Sequence, residues 1–354
     1  MSGTSLDGLD IAYCRIASDD GLANFHFDLL AAETVAYSDD WVSRLASLHK
    51  ASAYEYALAD ADLGHYFGRQ VSAFCHRHPG PVDFIASHGH TVFHQPQLGM
   101  TAQIGDGNAI AAETGLPVVY DFRRLDVSLG GQGAPLVPVG DRLLFGQYDG
   151  CLNLGGFSNI SYEKEGRRLA FDVSPCNMAL NGLARRVSPL GYDDQGRLAR
   201  SGHLDSSLLG RLNALPYYGQ PAPKSLGKEW FEESFLPLID AVPEMPVCDV
   251  MRSVVEHIAM QVSAVVNAER LRSLLVTGGG ARNVFLVERM RELMPSCMVV
   301  LPPSEVIDYK EAIVFALLGF LRLHGVNNCL GSVTGGRCDC CGGSLAGCIP
   351  VSDK

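Results

Sequence analysis

Three short stretches combine glycine with hydroxyl and acid side chains. They are Ser2-Gly3-Thr4-Ser5-Leu6-Asp7-Gly8, Phe171-Asp172-Val173-Ser174-Pro175-Cys176-Asn177 and Thr277-Gly278-Gly279-Gly280-Ala281-Arg282-Asn283. A glycine backbone can approach an anion closely, and its N–H groups, with nearby hydroxyls, can cradle phosphate. The aspartate in each of the first two adds a site for a metal-bound water or for a proton. Three such segments in this order predict a nucleotide held in a cleft between two lobes.

Each segment reads in two ways. The first is a tight hairpin turn, or a phosphate loop in which Thr4 and Ser5 offer hydroxyls while Gly3 and Gly8 allow close approach. Asp7 would then stand near Mg²⁺, an ion that keeps several waters and takes one or two carboxylates. Asp172 either caps a helix over residues 178–186 or acts as a general base. The triple glycine lacks the Gly-Lys-Ser/Thr ending of a Walker loop. A plain strand-to-helix turn rarely needs three glycines, which favours contact with adenosine. His88-Gly89-His90-Thr91 and Asp121-Phe122-Arg123-Arg124 follow apolar runs, where α/β proteins place ligand residues. Arg123 and Arg124 could grip a carboxylate, or pair structurally with Asp126 or another acid. His88, His90 and His94 lack a carboxylate or thiol at ligand spacing, which weighs against a metal. The cluster Cys338, Cys340, Cys341 and Cys348 has no paired CxxC spacing, so it reads as a glycine-rich tail rather than a zinc site.

The elements that would position these residues follow from periodicity. Residues 11–16 form a strand after the first glycine loop. Residues 40–78 carry apolar positions at helical spacing and predict two helices. Strands are expected over 82–87 and 116–120, and a helix over 108–114 ended by Gly115. From Gly150 the pattern restarts, with strands over 151–154, 160–162 and 169–171, the last ending at Asp172. A faint internal duplication is the expectation, one copy in each lobe. Helices are predicted over 251–270, 284–293 and 310–324, and strands over 274–276 and 297–301. This alternation predicts an α/β protein with mostly buried strands.

Bulk properties bound the function. The 354 residues suit two domains, divided as residues 1–147 and 148–354, with room for the C-terminal part to pack back on the first. A net charge of −11 argues against nucleic-acid partners. No run of residues has the length and apolarity of a membrane span, and no basic-then-apolar leader opens the sequence. A cytoplasmic location is expected. The eleven cysteines read as reduced, since most that lie in the body of the chain sit inside apolar runs.

Taken together, these stretches resemble the anhydro-N-acetylmuramic acid kinase family. The matching segments are residues 1–10, His88-Gly89 with Thr91, 103–106, 118–124, 130–138, 153–159, Phe171-Asp172, 221–225, 278–283, Glu311-Ala312 and 332–335. The resemblance implies a two-lobed actin-like ATPase (sugar kinase) fold with a central interlobe cleft, using ATP and Mg²⁺. It places Gly3, Thr4, Ser5, Leu6, Asp7, Gly8, Leu9 and Asp10 on the ATP phosphates, with Asp7 meeting Mg²⁺ through water. Gly278, Gly279, Gly280 and Asn283 line the adenosine side, and Asp172 is the catalytic base. His88, Thr91, Arg123, Arg124, Asn177 and Glu311 are the implied contacts to a small anhydro-sugar. The implied reaction opens 1,6-anhydro-N-acetylmuramic acid with water and phosphorylates its 6-oxygen, within cell-wall recycling. The chain departs from the family's pattern at Cys176, His90 and Leu125, and starts at Met1 where the family carries strand residues. The nucleotide loops alone would equally suit an actin/Hsp70-like binding or assembly protein; segments 88–91 and 121–124 are what such a protein would not need. A homodimer is compatible with everything in the sequence.

Overall fold

Alternating apolar and polar residues in Phe25-His26-Phe27-Asp28-Leu29 put one face of an extended chain on a core. This segment is β2 (Asn24–Ala36), and it pairs antiparallel with β1 (Gly8–Asp19). The computed structural model describes residues 1–3, 6–19, 21–22, 24–222 and 224–347. They group into two units, Met1–Leu144 with Tyr309–Lys354, and Phe145–Asp308. The predicted strand 11–16 is thus the middle of a much longer one, and β2 was not foreseen. The first glycine loop does turn back on itself: Ser2 bridges Leu9, and the Asp10 N–H donates to the Met1 carbonyl at 2.9 Å.

In the first unit, α1 (Asp39–Ser47) and α2 (Ala53–Arg77) are the two helices that the spacing predicts. Ser52 and Glu55 close a reciprocal capping box at the start of α2. Strand β3 (Ile85–Ala86) leads to the hairpin β4 (His90–Gln95) and β5 (Met100–Ile104), which the sequence reading missed. Helix α3 (Gly107–Thr114) ends at Gly115 as predicted, and that glycine adopts φ +69°. It packs on α2 where Gly64 and Gly68 leave room: a Cβ on Gly64 would lie 2.6 Å from the Asp106 carbonyl. Strand β6 (Val118–Tyr120) runs parallel to β3 and antiparallel to the strand Ser344–Ala346. Helices α4 (Arg124–Ser128) and α5 (Val137–Leu144) follow. The helix Ser304–Leu323 starts six residues before the predicted 310 and contributes its residues from Tyr309 on to this unit. Leu63, Phe67, Ile104, Ile110 and Val118 form the core.

The second unit holds a five-stranded mixed sheet. Strands β7 (Gly150–Leu154), β8 (Phe157–Lys164) and β9 (Arg167–Pro175) form an antiparallel meander. Strands β10 (Ser273–Thr277) and β11 (Met298–Val300) add parallel to β7, giving the order β11-β10-β7-β8-β9. The strand expected to stop at Asp172 runs on to Pro175, so Asp172 lies inside β9, beside a bulge at Ser158/Asn159. The helix predicted over 178–186 is α6 (Asn177–Ala184), and the one predicted over 251–270 spans Val247–Ala268. The helix Val284–Leu293 falls where predicted. Leu152, Leu154, Val254, Ile258, Leu274 and Val276 are fully buried in this unit's core.

Candidate active site

In the first unit, the N-terminal loop has structural duties as well as chemical promise. A Cβ on Gly8 would collide with the Val35 carbonyl, so strand pairing alone demands glycine there. Leu9 belongs to the core, Leu6 packs against it with φ +62°, and only their backbones could serve a ligand. Asp10 accepts from Thr34 Oγ1 at 2.6 Å. Asp7 is exposed and has no bonded partner among the described residues. Thr4 and Ser5 lie outside the described residues, as does Cys348.

His88 and Arg123 form one assembly. Arg123 Nε donates to His88 Nε2 at 3.0 Å, which fixes the ring proton on Nδ1, and that nitrogen donates to the Gly89 carbonyl at 2.9 Å. Burial, then the Arg123 charge, push His88 well below the usual histidine range and keep it neutral. Both ring nitrogens are therefore occupied, and His88 orients Arg123 instead of offering a bond to a ligand. Arg123 Nη1 also donates to the Gly133 carbonyl at 2.6 Å. Two of the guanidinium's five N–H groups are so engaged, and three remain. Burial lowers Arg123, and the charge of Glu311 opposes this. The two charges thus stabilise one another. Arg124 is exposed and pairs with Asp121 Oδ2 at 3.1 Å.

Two acceptors were absent from the predicted site. Gln103 donates to Thr91 Oγ1 at 3.3 Å and to Thr101 Oγ1 at 2.8 Å, yet its buried Oε1 has no partner among the described residues. Asp121 Oδ1 is likewise buried without one. Such atoms cost stability unless something donates to them. Both lie in segments that the sequence singles out, Asp121 at the head of 121–124 and Gln103 in 103–106, but neither is given a role there.

In the second unit, Asp172 does not cap a helix. Its Oδ2 accepts from the Leu226 N–H at 2.8 Å, and its backbone carbonyl accepts from the Tyr217 hydroxyl at 2.6 Å. Among the described residues no donor takes Oδ1. Burial raises Asp172 above the usual carboxylate range, while the Leu226 N–H works against the rise. A fixed carboxylate with one free oxygen and a raised pKa suits proton abstraction. Leu226 lies just beyond the segment 221–225 noted in the sequence, whose Lys224 carbonyl accepts from the Asp172 N–H at 3.2 Å.

The triple glycine sits at the end of β10. Gly278 takes φ +79° and lies against Asn153 and Leu154, where a Cβ would come within 2.9 Å of the Leu154 carbonyl. A Cβ on Gly280 would lie 2.7 Å from Leu154 Cβ. Gly279 is exposed, and a Cβ there would meet only Asn177 Nδ2, at 3.6 Å. Asn177 lies beside these glycines and donates from Nδ2 to the Leu154 carbonyl at 2.9 Å. Asn283 caps the helix Val284–Leu293 by accepting from the Leu286 N–H at 3.0 Å, so its side-chain oxygen is already in use.

A cavity of about 300 Å³ in the first unit takes in Leu9 and Asp10 but no other predicted ligand among the described residues. Its lining is largely apolar, and apart from Asp10 the polar groups described above lie elsewhere. His88, His90 and His94 form no metal-binding group among the described residues; His90 Nδ1 is bound to Ser2 Oγ at 3.0 Å.

Comparison with known proteins gives a consistent result. The family model of anhydro-N-acetylmuramic acid kinase matches residues 1–347. The anhydro-N-acetylmuramic acid kinase of Sulfurovum sp. (strain NBC37-1) is 36% identical over 349 residues, 95% of each chain. That of Vibrio cholerae is 37% identical over 355 residues, 95% of this chain and 94% of its own. A solved ROK family glucokinase from Streptomyces griseus, in complex with glucose and AMPPNP, is 14% identical over 77% of this chain and 87% of its own. Its TM-score of 0.32 is too low to carry an argument.

Proposed function

This chain belongs to the anhydro-N-acetylmuramic acid kinase family, and on that premise we propose that it couples hydrolysis of an anhydro-sugar to its phosphorylation. The substrate is 1,6-anhydro-N-acetylmuramic acid. Water adds its hydroxyl to the anomeric carbon, the internal ether opens, and the released 6-oxygen takes the γ-phosphoryl group of ATP. The products are N-acetylmuramic acid 6-phosphate and ADP.

The observation that carries this reading is the state of Asp172. One oxygen is fixed by the Leu226 N–H, the other has no donor among the described residues, and burial raises its affinity for a proton. Asp172 takes the proton of the attacking water. Arg123, held by His88 and Gly133, offers its remaining N–H groups to the lactyl carboxylate. Thr91, Gln103 and Asp121 meet sugar hydroxyls, the last two through their unpartnered buried oxygens. The backbone of residues 3–8 serves the ATP phosphates and Gly279 the adenosine side, while Asn177, the implied sugar contact, lies beside that glycine. Asp7, an exposed hard-oxygen donor, fits Mg²⁺ held through water, and the ion when bound would neutralise charge on the transferred phosphoryl group. No helix among the described residues is long and apolar enough to cross a membrane. A cytoplasmic place in peptidoglycan recycling and amino-sugar catabolism fits this reading.

The test is turnover in heavy-oxygen water, read by mass spectrometry. The sugar phosphate should carry one heavy oxygen at the anomeric carbon. Asp172→Asn should lower kcat by about 10²–10⁴-fold with the fold intact. Full activity in that variant would remove Asp172 from the mechanism. Gln103→Leu should raise KM for the sugar about tenfold, with kcat nearly unchanged; an unaltered KM would take Gln103 out of the site.

A further inference from the structure

We propose that Asp126, Cys329 and Cys340 form a binding site for a soft divalent cation of the zinc class. One carboxylate oxygen and the two sulfurs all lie within 4.8 Å of one another. The three residues are buried, at 0%, 1% and 6% exposure. Cys329 and Cys340 face each other across an antiparallel bridge and exchange both backbone hydrogen bonds, each at 3.0 Å. Asp126 reaches them from α4. Its Oδ1 accepts from Thr334 Oγ1 at 2.7 Å and its Oδ2 from the Gly133 N–H at 2.7 Å. These are the outer bonds that orient a ligating carboxylate. The Cys329 thiol also hydrogen-bonds this carboxylate, through a proton that an ion would displace.

Zinc binds sulfur at about 2.3 Å and carboxylate oxygen at about 2.0–2.2 Å in tetrahedral sites, which sets neighbouring ligand atoms roughly 3.5–3.8 Å apart. Side-chain rotations of about 1 Å close the present group onto an ion. Binding releases one proton from each thiol, and the dication then offsets the charge of two thiolates and a carboxylate. A disulfide could also span an antiparallel pair, but it would leave the buried Asp126 carboxylate against two sulfurs with no cation to answer it. A bound ion would tie Cys329 and Cys340 to the segment 126–133, whose Gly133 carbonyl also holds Arg123.

The experiment titrates the full-length protein, reduced and stripped with a chelator, with Cd²⁺. The expected result is one tight equivalent per chain with a thiolate-to-cadmium charge-transfer band. Cys340→Ser should weaken binding about 100-fold or more, while Cys338→Ser and Cys341→Ser should leave it unchanged. In the unsubstituted protein, Cd²⁺ should shield Cys329 and Cys340 from alkylation, a readout that does not depend on how a variant folds. Absence of a saturable band, a band that survives in Cys340→Ser, or unshielded labelling of both cysteines would overturn the site. So would a Cys329–Cys340 disulfide, two hydrogens lighter by mass, in protein purified without reductant.

Discussion

Glycines 278 to 280 look alike in the sequence and differ in their surroundings. Gly280 is bare because Leu154 crowds it, whereas the exposed Gly279 has room for a methyl group. Gly280→Ala should therefore destabilise the protein by about 1–3 kcal/mol, through overpacking. Gly279→Ala should leave the melting temperature unchanged and raise KM for ATP, because the backbone could no longer approach the nucleotide as closely. Thermal melts and ATP kinetics on both variants check this; an unchanged KM in Gly279→Ala would free that glycine of a nucleotide role. His88 shows the same split between type and duty. A histidine after a strand reads as a ligand, yet here both nitrogens are spent on Arg123 and Gly89.

At the scale of elements, local signals were legible wherever they were strong. Ser52 and Glu55 open α2 with mutual hydrogen bonds, Ser52 N–H to Glu55 Oε2 at 2.8 Å and Glu55 N–H to Ser52 Oγ at 3.2 Å. Ser52→Ala should lower stability by about 1 kcal/mol without changing kcat. A urea titration beside an activity assay checks it, and no loss of stability would mean that tertiary packing alone holds the end of α2. Apolar spacing over 40–78 gave two helices without the break between them, which falls between Ser47 and Ala53, and the helix Val284–Leu293 lies where expected. The hairpin β4–β5 was missed because His90-Thr91-Val92-Phe93-His94 is short, partly polar and rich in residues that suit a ligand site as well as a strand. Asp172 is expected at a strand end; β9 instead runs past it to Pro175, with a register shift between Ser158 and Asn159.

At the scale of the whole molecule, buried polar groups tie stability to pH. His257 is fully buried in the second unit, bound to Asn213 Oδ1 at 2.6 Å and the Tyr218 hydroxyl at 2.8 Å. Burial lowers it from 6.5 to about 3. Below the unfolded value the unfolded chain binds the extra proton and the native state does not. Stability is thus fully present above pH 6.5 and falls as the pH drops toward about 3, by roughly 1.4 kcal/mol per unit. Urea midpoints at pH 7 and pH 5 should show the loss, and His257→Gln should flatten the difference; an equal slope in that variant would place the acid sensitivity elsewhere. By itself the sequence determined the family, the α/β pattern and the segments that carry glycine, acid and arginine, because those signals are local in spacing and chemical in type. Tertiary structure decided which of those residues have atoms left to offer. Asp172 keeps an oxygen, His88 keeps nothing, Asn283 gives its side-chain oxygen to a helix end, and Gln103 gains an unmet one. It also gathered Asp126 with Cys329 and Cys340 across some two hundred residues of chain. Hydrogen-bond capacity is used up by neighbours in space, and a linear chain does not list them.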